Sequence, residues 1–299
     1  MAEYLCFHLL CPRHSTSSGT SKGGGSYKIC SSNFGGRGST GGVKRGNPPI
    51  LALAQSLRNE KSVLTSRMNS QMRALPQLYI DFDGTISATD TTDLILERFA
   101  LPEWHDVEAA WERGEMGSRE CMARQVALLR ATPAAMAEMV QQIAVDPGFM
   151  GFVELCRQWN LPFTILSDGL DVVARGVLQR LGVDAPVLSN RMEPVGEDEW
   201  RLTFPYSSAG CATAAGNCKC ACMEAGQRRT GGLTILIGDG RSDFCGAGSA
   251  DQVFAKGKLA AHCRDHAIPH QPFTGFADLT ALFHDWLVRN ASPAAAAAE

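Results

Sequence analysis

The 299-residue sequence predicts an α/β fold in which helices flank an open parallel sheet. Three short apolar runs, at 77–82, 162–167 and 233–237, have the length of buried strands, and each ends in polar residues suited to a functional loop. Helical segments separate these runs, which is the alternation typical of parallel sheets. The stretch 87–145 interrupts that alternation with helical patterns alone. The sequence therefore predicts a helical domain inserted after the first strand.

The first half of the folded part begins near Pro76 with the strand at 77–82 and continues into the inserted helices. Thr132 followed by Pro133 predicts a helix with a threonine N-cap and a proline at its first position. Apolar residues recur at helical spacing in this helix and in the one before it. They are Met136, Met139, Val140 and Ile143 in the later helix and Met122, Val126 and Leu129 in the earlier one.

The second half returns to alternating helices and strands. Its predicted elements are helix 148–159, strand 162–167, helix 171–181, a hairpin across 187–205, helix 217–229, strands 233–237 and 252–255, and helices 258–266 and 276–288. We therefore expect a core formed by 76–86 and 146–290 and a cap formed by 87–145.

Both ends of the chain have the composition of disordered segments. Residues 12–48 are rich in Gly, Ser and Thr, so they cannot bury enough apolar surface to offset the entropy of ordering. Residues 1–67 are predicted to form a disordered extension in a cytoplasmic protein. Their composition also fits an organelle transit peptide, for a plastid or a mitochondrion, and that alternative is kept. The Ala-rich residues 291–299 are predicted to be a disordered tail.

Charge and hydropathy argue against two classes of function. Residues 1–67 contain nine Lys and Arg residues and two Asp and Glu residues. Since the full chain has a net charge of −3, the remaining residues, 68–299, are acidic overall. An acidic folded part is poorly suited to reading DNA or RNA. No run of about 18 apolar residues occurs, so no membrane-spanning helix is expected.

Eleven cysteines are scattered along the chain, an odd number that favours a reducing compartment over a disulfide framework. Cys211, Cys218, Cys220 and Cys222 are close enough in sequence to suggest a zinc site. However, C-x-C-x-C spacing on a helix points successive thiols to different faces. Reduced, partly buried cysteines are therefore the favoured interpretation, and zinc is the alternative.

The segment 81–85 reads DFDGT and directly follows the first strand. On an extended chain Asp81 and Asp83 share one face, because side chains alternate with a period of two. One carboxylate can then act as a nucleophile while the other does acid–base work. An acidic turn at the strand end is the alternative, since Asp and Gly favour turns.

Polar groups also follow the other two strands. Asp239 and Asp243, in the segment GDGRSD, can join Asp81 around a hard cation such as magnesium. A Gly–Asp turn that caps a helix is the alternative. Ser167 can donate to a phosphate oxygen, and Lys219 can bring a positive charge to it. A turn cap and a solvated surface lysine are the respective alternatives.

These four motifs occur in the order found in the haloacid dehalogenase superfamily of phosphatases, which the chain resembles over roughly 77–290. The resemblance implies a Rossmann-like parallel sheet core with an inserted helical cap. The chain is most similar to the phosphoserine phosphatase branch and, within it, to methionine-salvage phosphatases that act on a methylthiopentenyl phosphate. The residues that suggest the latter are Pro102, Glu103, Trp104, the stretch 210–222, Phe254, Ala255, Lys256, Leu259, Cys263, Pro272, Phe273, Phe276 and Asp278.

The resemblance implies a magnesium-dependent phosphomonoesterase that acts on a small phosphorylated metabolite. Asp81 would be the nucleophile and become an aspartyl-phosphate, and Asp83 would serve as acid and then as base. Magnesium would be held by Asp81, Asp239 and the backbone carbonyl of Asp83, with Asp243 bound directly or through water. Lys219 would complete the catalytic set.

The same resemblance implies that Thr85, Ser167, Asp168 and Gly169 bind the phosphate group. In the phosphoserine phosphatase branch, an acidic residue at the position of Asp90 contacts the substrate. Asp90 also fits a helix N-cap, because it precedes a helical segment. Both interpretations of Asp90 are kept.

Two alternatives to this enzyme stay open: a phosphoserine phosphatase, and a non-catalytic regulatory protein on the same fold. A binding module does not need both carboxylates of Asp81 and Asp83, which favours an enzyme. The expected partner is a small phosphomonoester, with no nucleic acid or membrane, and a homodimer is left open.

Overall fold

A seven-stranded sheet forms the centre of the computed structural model, which describes residues 75–290. The predicted extension 1–67 and the predicted tail 291–299 lie outside the described residues. The strands are β1 (Gln77–Ile80), β2 (Phe163–Leu170), β3 (Val187–Pro194), β4 (Trp200–Thr203), β5 (Thr234–Gly238), β6 (Gln252–Ala255) and β7 (Gln271–Pro272). Their order in the sheet is β4-β3-β2-β1-β5-β6-β7, and each neighbouring pair is parallel except β3 and β4. The predicted α/β fold is confirmed.

Helices connect the strands and cover the sheet. Within the described residues they are α1 (Thr91–Phe99), α2 (Trp104–Glu112), α3 (Ser118–Ala127), α4 (Pro133–Gln142), α5 (Phe149–Gln158), α6 (Asp171–Leu181), α7 (Lys219–Thr230), α8 (Phe244–Ala247), α9 (Gly257–Asp265) and α10 (Phe276–Asn290). A single 3-10 turn, Arg241–Asp243, precedes α8. None of the helices in this part of the chain is long and apolar enough to cross a membrane.

Strand β1 lies at the middle of the sheet, between β2 and β5. Ile80 is in register with Ile165 on one side and with Ile237 on the other, and all three side chains are fully buried. Since the three strands are parallel, the residues that follow them emerge at the same edge of the sheet. This arrangement brings together polar groups that are far apart in sequence.

Helices α1–α4 form the insert between β1 and β2. Ser87 and Val145 form an isolated antiparallel bridge, so the chain leaves and returns at adjacent points. The predicted cap boundaries, 87 and 145, fall on this bridge, which supports our proposal that 87–145 forms a cap on the core. The predicted N-cap is present, because the Thr132 hydroxyl accepts a hydrogen bond from the backbone N–H of Ala135 at 3.2 Å.

The β3–β4 hairpin supports the insert at one edge of the sheet. Helix α3 packs against β4. The indole N–H of Trp200 donates to the carbonyl of Ala131 at 2.7 Å, and the N–H of Ala131 donates to the carbonyl of Asp198 at 2.9 Å. The hairpin predicted across 187–205 is therefore present and anchors the insert.

Candidate active site

The polar residues predicted to act together lie at the carboxyl ends of the three central strands. Asp81 follows β1, Ser167 lies in the last part of β2, and Asp239 follows β5. One oxygen from each of Asp81, Asp239 and Asp243 lies within 4.8 Å of the others. The parallel register of β1 with β2 and β5 is the reason for this convergence.

Lys219, the first residue of α7, lies among these carboxylates and is fully buried. Its Nζ donates to Oδ1 of Asp81 at 2.6 Å and to Oδ1 of Asp243 at 2.7 Å. Burial alone would lower the pKa of Lys219, but Asp243 and Asp81 outweigh it and raise the pKa. The lysine is therefore a permanent cation in this site, and the solvated-lysine interpretation is wrong.

Lys219, together with Lys256 near Asp239, does not fully balance three carboxylates. Burial raises the pKa of Asp81 well above its ordinary value, and the charge of Asp243 raises it further. Burial also raises the pKa of Asp239. A divalent cation would remove this excess of negative charge, and the oxygen-only donor set suits magnesium.

The three carboxylates are not equally free to bind a cation. Both oxygens of Asp243 are engaged, Oδ1 by Lys219 and Oδ2 by the N–H groups of Asp239 and Gly240 at 3.2 Å each. Asp239 accepts one hydrogen bond at Oδ1, from the Thr85 hydroxyl at 2.8 Å. Asp81 and Asp239 therefore have oxygens that are freer to accept a cation than those of Asp243, which hold Lys219 and the loop in place.

Asp83 makes its side-chain hydrogen bonds with Thr91 and Ser167, and Lys219 is not among its partners. Its Oδ1 accepts hydrogen bonds from the Thr91 hydroxyl and from the Thr91 N–H, the latter at 2.9 Å, and its Oδ2 accepts from the Ser167 hydroxyl at 3.3 Å. Burial, followed by the nearby charge of Asp90, raises the pKa of Asp83 to about 6. A carboxyl group with this pKa can carry and release a proton near neutral pH.

Two glycines make room for these carboxylates. A Cβ on Gly169 would lie 2.2 Å from Oδ2 of Asp83, and a Cβ on Gly84 would lie 2.7 Å from Oδ2 of Asp239. Gly84 also has φ +70°, a conformation that favours glycine. The close approach of backbone and carboxylate at both points needs residues without a side chain.

The family model of the haloacid dehalogenase-like hydrolases matches residues 78–247. The chain belongs to this family. Among similar proteins, a 2-hydroxy-3-keto-5-methylthiopentenyl-1-phosphate phosphatase from Exiguobacterium sp. is 30% identical over 204 residues, which is 67% of this chain and 94% of that protein. A phosphatase of the same name from Geobacillus thermodenitrificans is 28% identical over 208 residues, 68% of this chain and 92% of its own.

Solved structures share the fold of this haloacid dehalogenase-like hydrolase. A HAD family hydrolase from Salmonella enterica superposes with a TM-score of 0.55 at 20% identity, covering 69% of this chain and 70% of that one. A phosphoserine phosphatase from T. onnurineus superposes with a TM-score of 0.51 at 16% identity, covering 71% and 95%. The predicted family and the prediction of a phosphatase are confirmed.

Two predicted phosphate-binding residues of the hydrolase are engaged within the protein. The carboxylate of Asp168 accepts from the N–H of Asn217 at 2.7 Å and from the amide of Asn190 at 3.1 Å. The N–H of Gly169 donates to the hydroxyl of Ser167 at 2.9 Å. Phosphate binding by Asp168 and Gly169 stays a prediction, and the N–H of Gly169 would have to exchange Ser167 for the phosphate.

Asp90 is an exposed N-cap of α1. Its Oδ1 accepts from the N–H groups of Thr92 at 2.9 Å and Asp93 at 3.3 Å. The capping interpretation is confirmed, whereas contact between Asp90 and a substrate stays a prediction. The charge of Asp90 is close enough to Asp83 to raise the pKa of that carboxyl group.

Thr91 and Asn217 are site residues that the sequence did not reveal. Thr91 makes two hydrogen bonds to Asp83, and Asn217 donates from its amide to the carbonyls of Ser167 and Leu188 at 2.8 and 2.7 Å. Asn217 lies two residues before Lys219 and is buried. Its closeness to Lys219 in sequence was the only available signal, because burial of an amide cannot be read from the sequence.

The four clustered cysteines of the hydrolase are free thiols. Between residues 75 and 290, the trio of Asp81, Asp239 and Asp243 is the only group of His, Cys, Asp or Glu whose ligand atoms converge enough for a metal. Cys211, Cys218, Cys220 and Cys222 are not among these converging groups, and the choice between reduced thiols and a zinc site stays a prediction.

Proposed function

We propose that the chain is a magnesium-dependent phosphatase that hydrolyses a small phosphomonoester through an aspartyl-phosphate on Asp81. The observation that carries this proposal is the buried contact of Lys219 with both Asp81 and Asp243, with Asp239 alongside. A regulatory protein would gain nothing from a buried excess of carboxylates, because their desolvation is costly. The arrangement favours a site for a metal and a phosphate.

Asp81 and Asp239 would hold magnesium through carboxylate oxygens, and Asp83 would contribute its backbone carbonyl. Asp243 would contribute through water, because Lys219 and two N–H groups already occupy its oxygens. When bound, magnesium neutralises charge between the carboxylates and an incoming phosphate dianion. Phosphoryl transfer depends mainly on such alignment and charge compensation.

In the first step, an oxygen of Asp81 attacks phosphorus, the ester P–O bond breaks, and the protonated carboxyl of Asp83 gives its proton to the leaving oxygen. In the second step, Asp83 takes a proton from water, whose oxygen attacks phosphorus and releases phosphate from Asp81. The pKa of Asp83, about 6, allows both directions of proton transfer. Lys219 holds Asp81 in position for attack.

Thr85, Ser167, Asp168 and Gly169 are the proposed phosphate contacts. The Thr85 and Ser167 hydroxyls already lie at the strand ends, donating to Asp239 and Asp83 respectively. An arriving phosphate would compete for these donors. The backbone N–H groups of Asp168 and Gly169 would complete the phosphate site, because successive N–H groups commonly donate hydrogen bonds to a bound anion.

For the substrate, we propose a methylthiopentenyl phosphate of the kind named for the relatives from Exiguobacterium sp. and Geobacillus thermodenitrificans. Phosphoserine is the second candidate. Assay of both compounds, with an aryl phosphate as a reference, separates these assignments: a higher kcat/KM for phosphoserine would overturn the first.

Replacement of Asp81 by Asn tests the nucleophile. The amide cannot form the phosphorylated intermediate, so kcat should fall by far more than tenfold. Asp184→Asn, which makes the same change at an exposed aspartate, is the matched control and should keep full activity. An Asp81→Asn enzyme with more than about a tenth of the wild-type kcat, which is only about 1.4 kcal/mol in barrier, contradicts the mechanism.

A further inference from the structure

Three thiols lie in a row at the start of α7. The sulfur of Cys218 lies 3.5 Å from the sulfur of Cys220. The Cys211 sulfur accepts a hydrogen bond from the N–H of Ala215 at 3.4 Å and lies close enough to Cys218 for the two thiols to shift each other's pKa. Cys218 is the N-cap of α7 and directly precedes Lys219. The row is therefore attached to the residue that holds Asp81, although the proposed reaction uses none of its sulfurs.

The three thiols differ in exposure and reactivity. Cys218 is buried, whereas Cys211 and Cys220 are partly exposed. Partial burial would raise the pKa of Cys211, but hydrogen bonds from Thr213, Ala215 and Cys218 outweigh it and lower the pKa. Burial raises the pKa of Cys218, and it raises that of Cys220 to about 12. Cys211 is therefore the sulfur expected to be oxidised first, because it is partly exposed and the N–H of Ala215, 3.4 Å from its sulfur, stabilises the reactive thiolate.

We propose that Cys211, Cys218 and Cys220 form an oxidation site, in which a hydroperoxide reacts at Cys211 and the oxidation is retained as a disulfide that includes Cys218. The loss of activity that follows rests on the proposed function, because it acts through Lys219. The disulfide itself does not.

The chemistry balances with hydrogen peroxide as the oxidant. The Cys211 thiolate attacks one peroxide oxygen, the O–O bond breaks, and hydroxide leaves, which gives a sulfenic acid. The Cys218 thiol then attacks this sulfur, its proton joins the departing hydroxyl as water, and the S–S bond forms. Attack by Cys220 on Cys218 can next release Cys211, whose lower thiol pKa makes it the better leaving group.

A disulfide on Cys218 would move the start of α7. Bonded sulfurs lie about 2.05 Å apart, so even the near pair must close the present 3.5 Å gap. Cys218 is held by its N–H, which donates to the carbonyl of Tyr206 at 3.0 Å, and its carbonyl accepts from the N–H of Cys222. Movement here shifts Lys219 relative to Asp81 and Asp243, which it contacts at 2.6 and 2.7 Å.

Peptide mapping of the full chain after peroxide treatment tests the disulfide directly. Trypsin cuts after Arg201 and Lys219, so Cys211 and Cys218 share one peptide and Cys220 begins the next. A Cys211–Cys218 disulfide lowers the mass of that single peptide by two hydrogens. A Cys218–Cys220 disulfide instead joins the two peptides. Either result is expected, and a dithiol should reverse it.

Activity of the same samples tests the consequence. We expect oxidised wild type to lose at least about tenfold in kcat and to recover it after reduction. Cys211→Ser and Cys218→Ser should resist inactivation, whereas Cys222→Ser, a thiol change on the same helix outside the row, should remain sensitive. Cys211→Ser should keep its activity before oxidation, because Ser retains the polar contacts of Cys211.

Several outcomes would overturn the proposal. They are a disulfide between Cys220 and Cys245, a sulfinic acid at Cys211 without a crosslink, or equal sensitivity of Cys211→Ser and wild type. If the disulfide forms on Cys218 but activity is unchanged, the oxidation site stands. In that case the proposed effect of the disulfide on the position of Lys219 is wrong. If the reduced enzyme hydrolyses no phosphomonoester, the proposed function fails independently of the mapped disulfide.

Discussion

Lys219 is a single buried cation that contacts two carboxylates at 2.6 and 2.7 Å. In a fully buried site, neither partner can recover its lost hydration if the other is removed. Lys219 therefore serves both the proposed chemistry, by fixing Asp81, and the stability of the metal-free fold.

Lys219→Met should consequently lower both activity and stability. Removal of one member of a buried ion pair typically costs about 3–5 kcal/mol, because the remaining charges lose their partner. Magnesium should restore part of the loss by replacing the missing positive charge. Urea unfolding with EDTA and with magnesium measures both effects, and Lys258→Met, at an exposed lysine, is the control. Equal destabilisation with and without magnesium would contradict a metal among these carboxylates.

Replacement of Asp83 should raise stability, whereas replacement of Lys219 should lower it. The pKa of Asp83 is about 6 in the folded protein against an ordinary value of 3.8, so the native state retains a proton that the unfolded chain has lost. The free energy of unfolding therefore falls as pH rises from about 4 to 6, and the full cost is present above pH 6. Asp83→Asn should remove that cost while abolishing turnover.

At pH 7.5, metal-free Asp83→Asn should have a free energy of unfolding about 1–2 kcal/mol higher than that of the wild type. The pKa difference between the folded and unfolded states would give a larger value, but water reaches part of the Asp83 side chain and screens its charge. The gain should disappear below about pH 4. Urea unfolding in EDTA at pH 4, 5, 6 and 7.5 measures it. A gain that is independent of pH would mean that the carboxyl does not titrate in this window.

At the scale of elements, the insert and the loop after β5 meet through one cation–π contact. The guanidinium of Arg241 lies 5.7 Å from the ring centroid of Trp111 on α2. Arg241 belongs to the loop that carries Asp239 and Asp243. The contact therefore links the proposed cap to the proposed metal loop.

Trp111→Leu should weaken the contact between the cap and the loop that carries Asp239 and Asp243, since an exposed cation–π contact contributes about 0.5–1 kcal/mol. We expect kcat/KM to fall a few fold for the metabolite and less for an aryl phosphate, which makes few cap contacts. Arg241→Met should have the same effect, and the double variant should add little. Arg98→Met, whose cation–π partner Phe99 lies within the insert, is the control. Equal losses on both substrates would exclude a cap effect.

The elements were largely predictable from local patterns. Helix α6 begins and ends where the sequence placed it, and β6 has the predicted bounds. Strand β7 could not be predicted, because Gln271–Pro272 is too short to show alternation and contains proline. The direction of the Asp168 side chain was equally hidden. It is set by Asn190 and Asn217, whose positions depend on how distant segments pack.

At the scale of the whole molecule, the relatives account for only part of the chain. The alignment with the Geobacillus thermodenitrificans phosphatase covers 92% of that protein but 68% of this one. The first strand begins at Gln77, after the polar extension predicted over 1–67. The family fold can therefore be built from the later part of the chain.

A chain that starts at Met68 should keep its specific activity and its cooperative thermal transition, because residues 1–67 have too few apolar side chains to add a core. Comparison of melting temperature and kcat with the full chain measures this. As a control, a chain that starts at Asp81 lacks the central strand β1 and should not fold. Loss of the transition in the Met68 chain would show that the extension stabilises the fold.

The bridge between Ser87 and Val145 places the two ends of the insert at neighbouring positions in an antiparallel ladder, where partners lie about 5 Å apart. Any segment whose ends have that spacing can be joined there while β1 and β2 keep their paths. The entropy of closing a loop rises slowly with length, so inserts of very different size are tolerated. Under the proposed function, recombination of one contiguous stretch of coding sequence would give the scaffold a new surface for the leaving group. Asp90 and Thr91 would be replaced with the insert, whereas Asp81, Asp83, Lys219 and Asp239 would be kept.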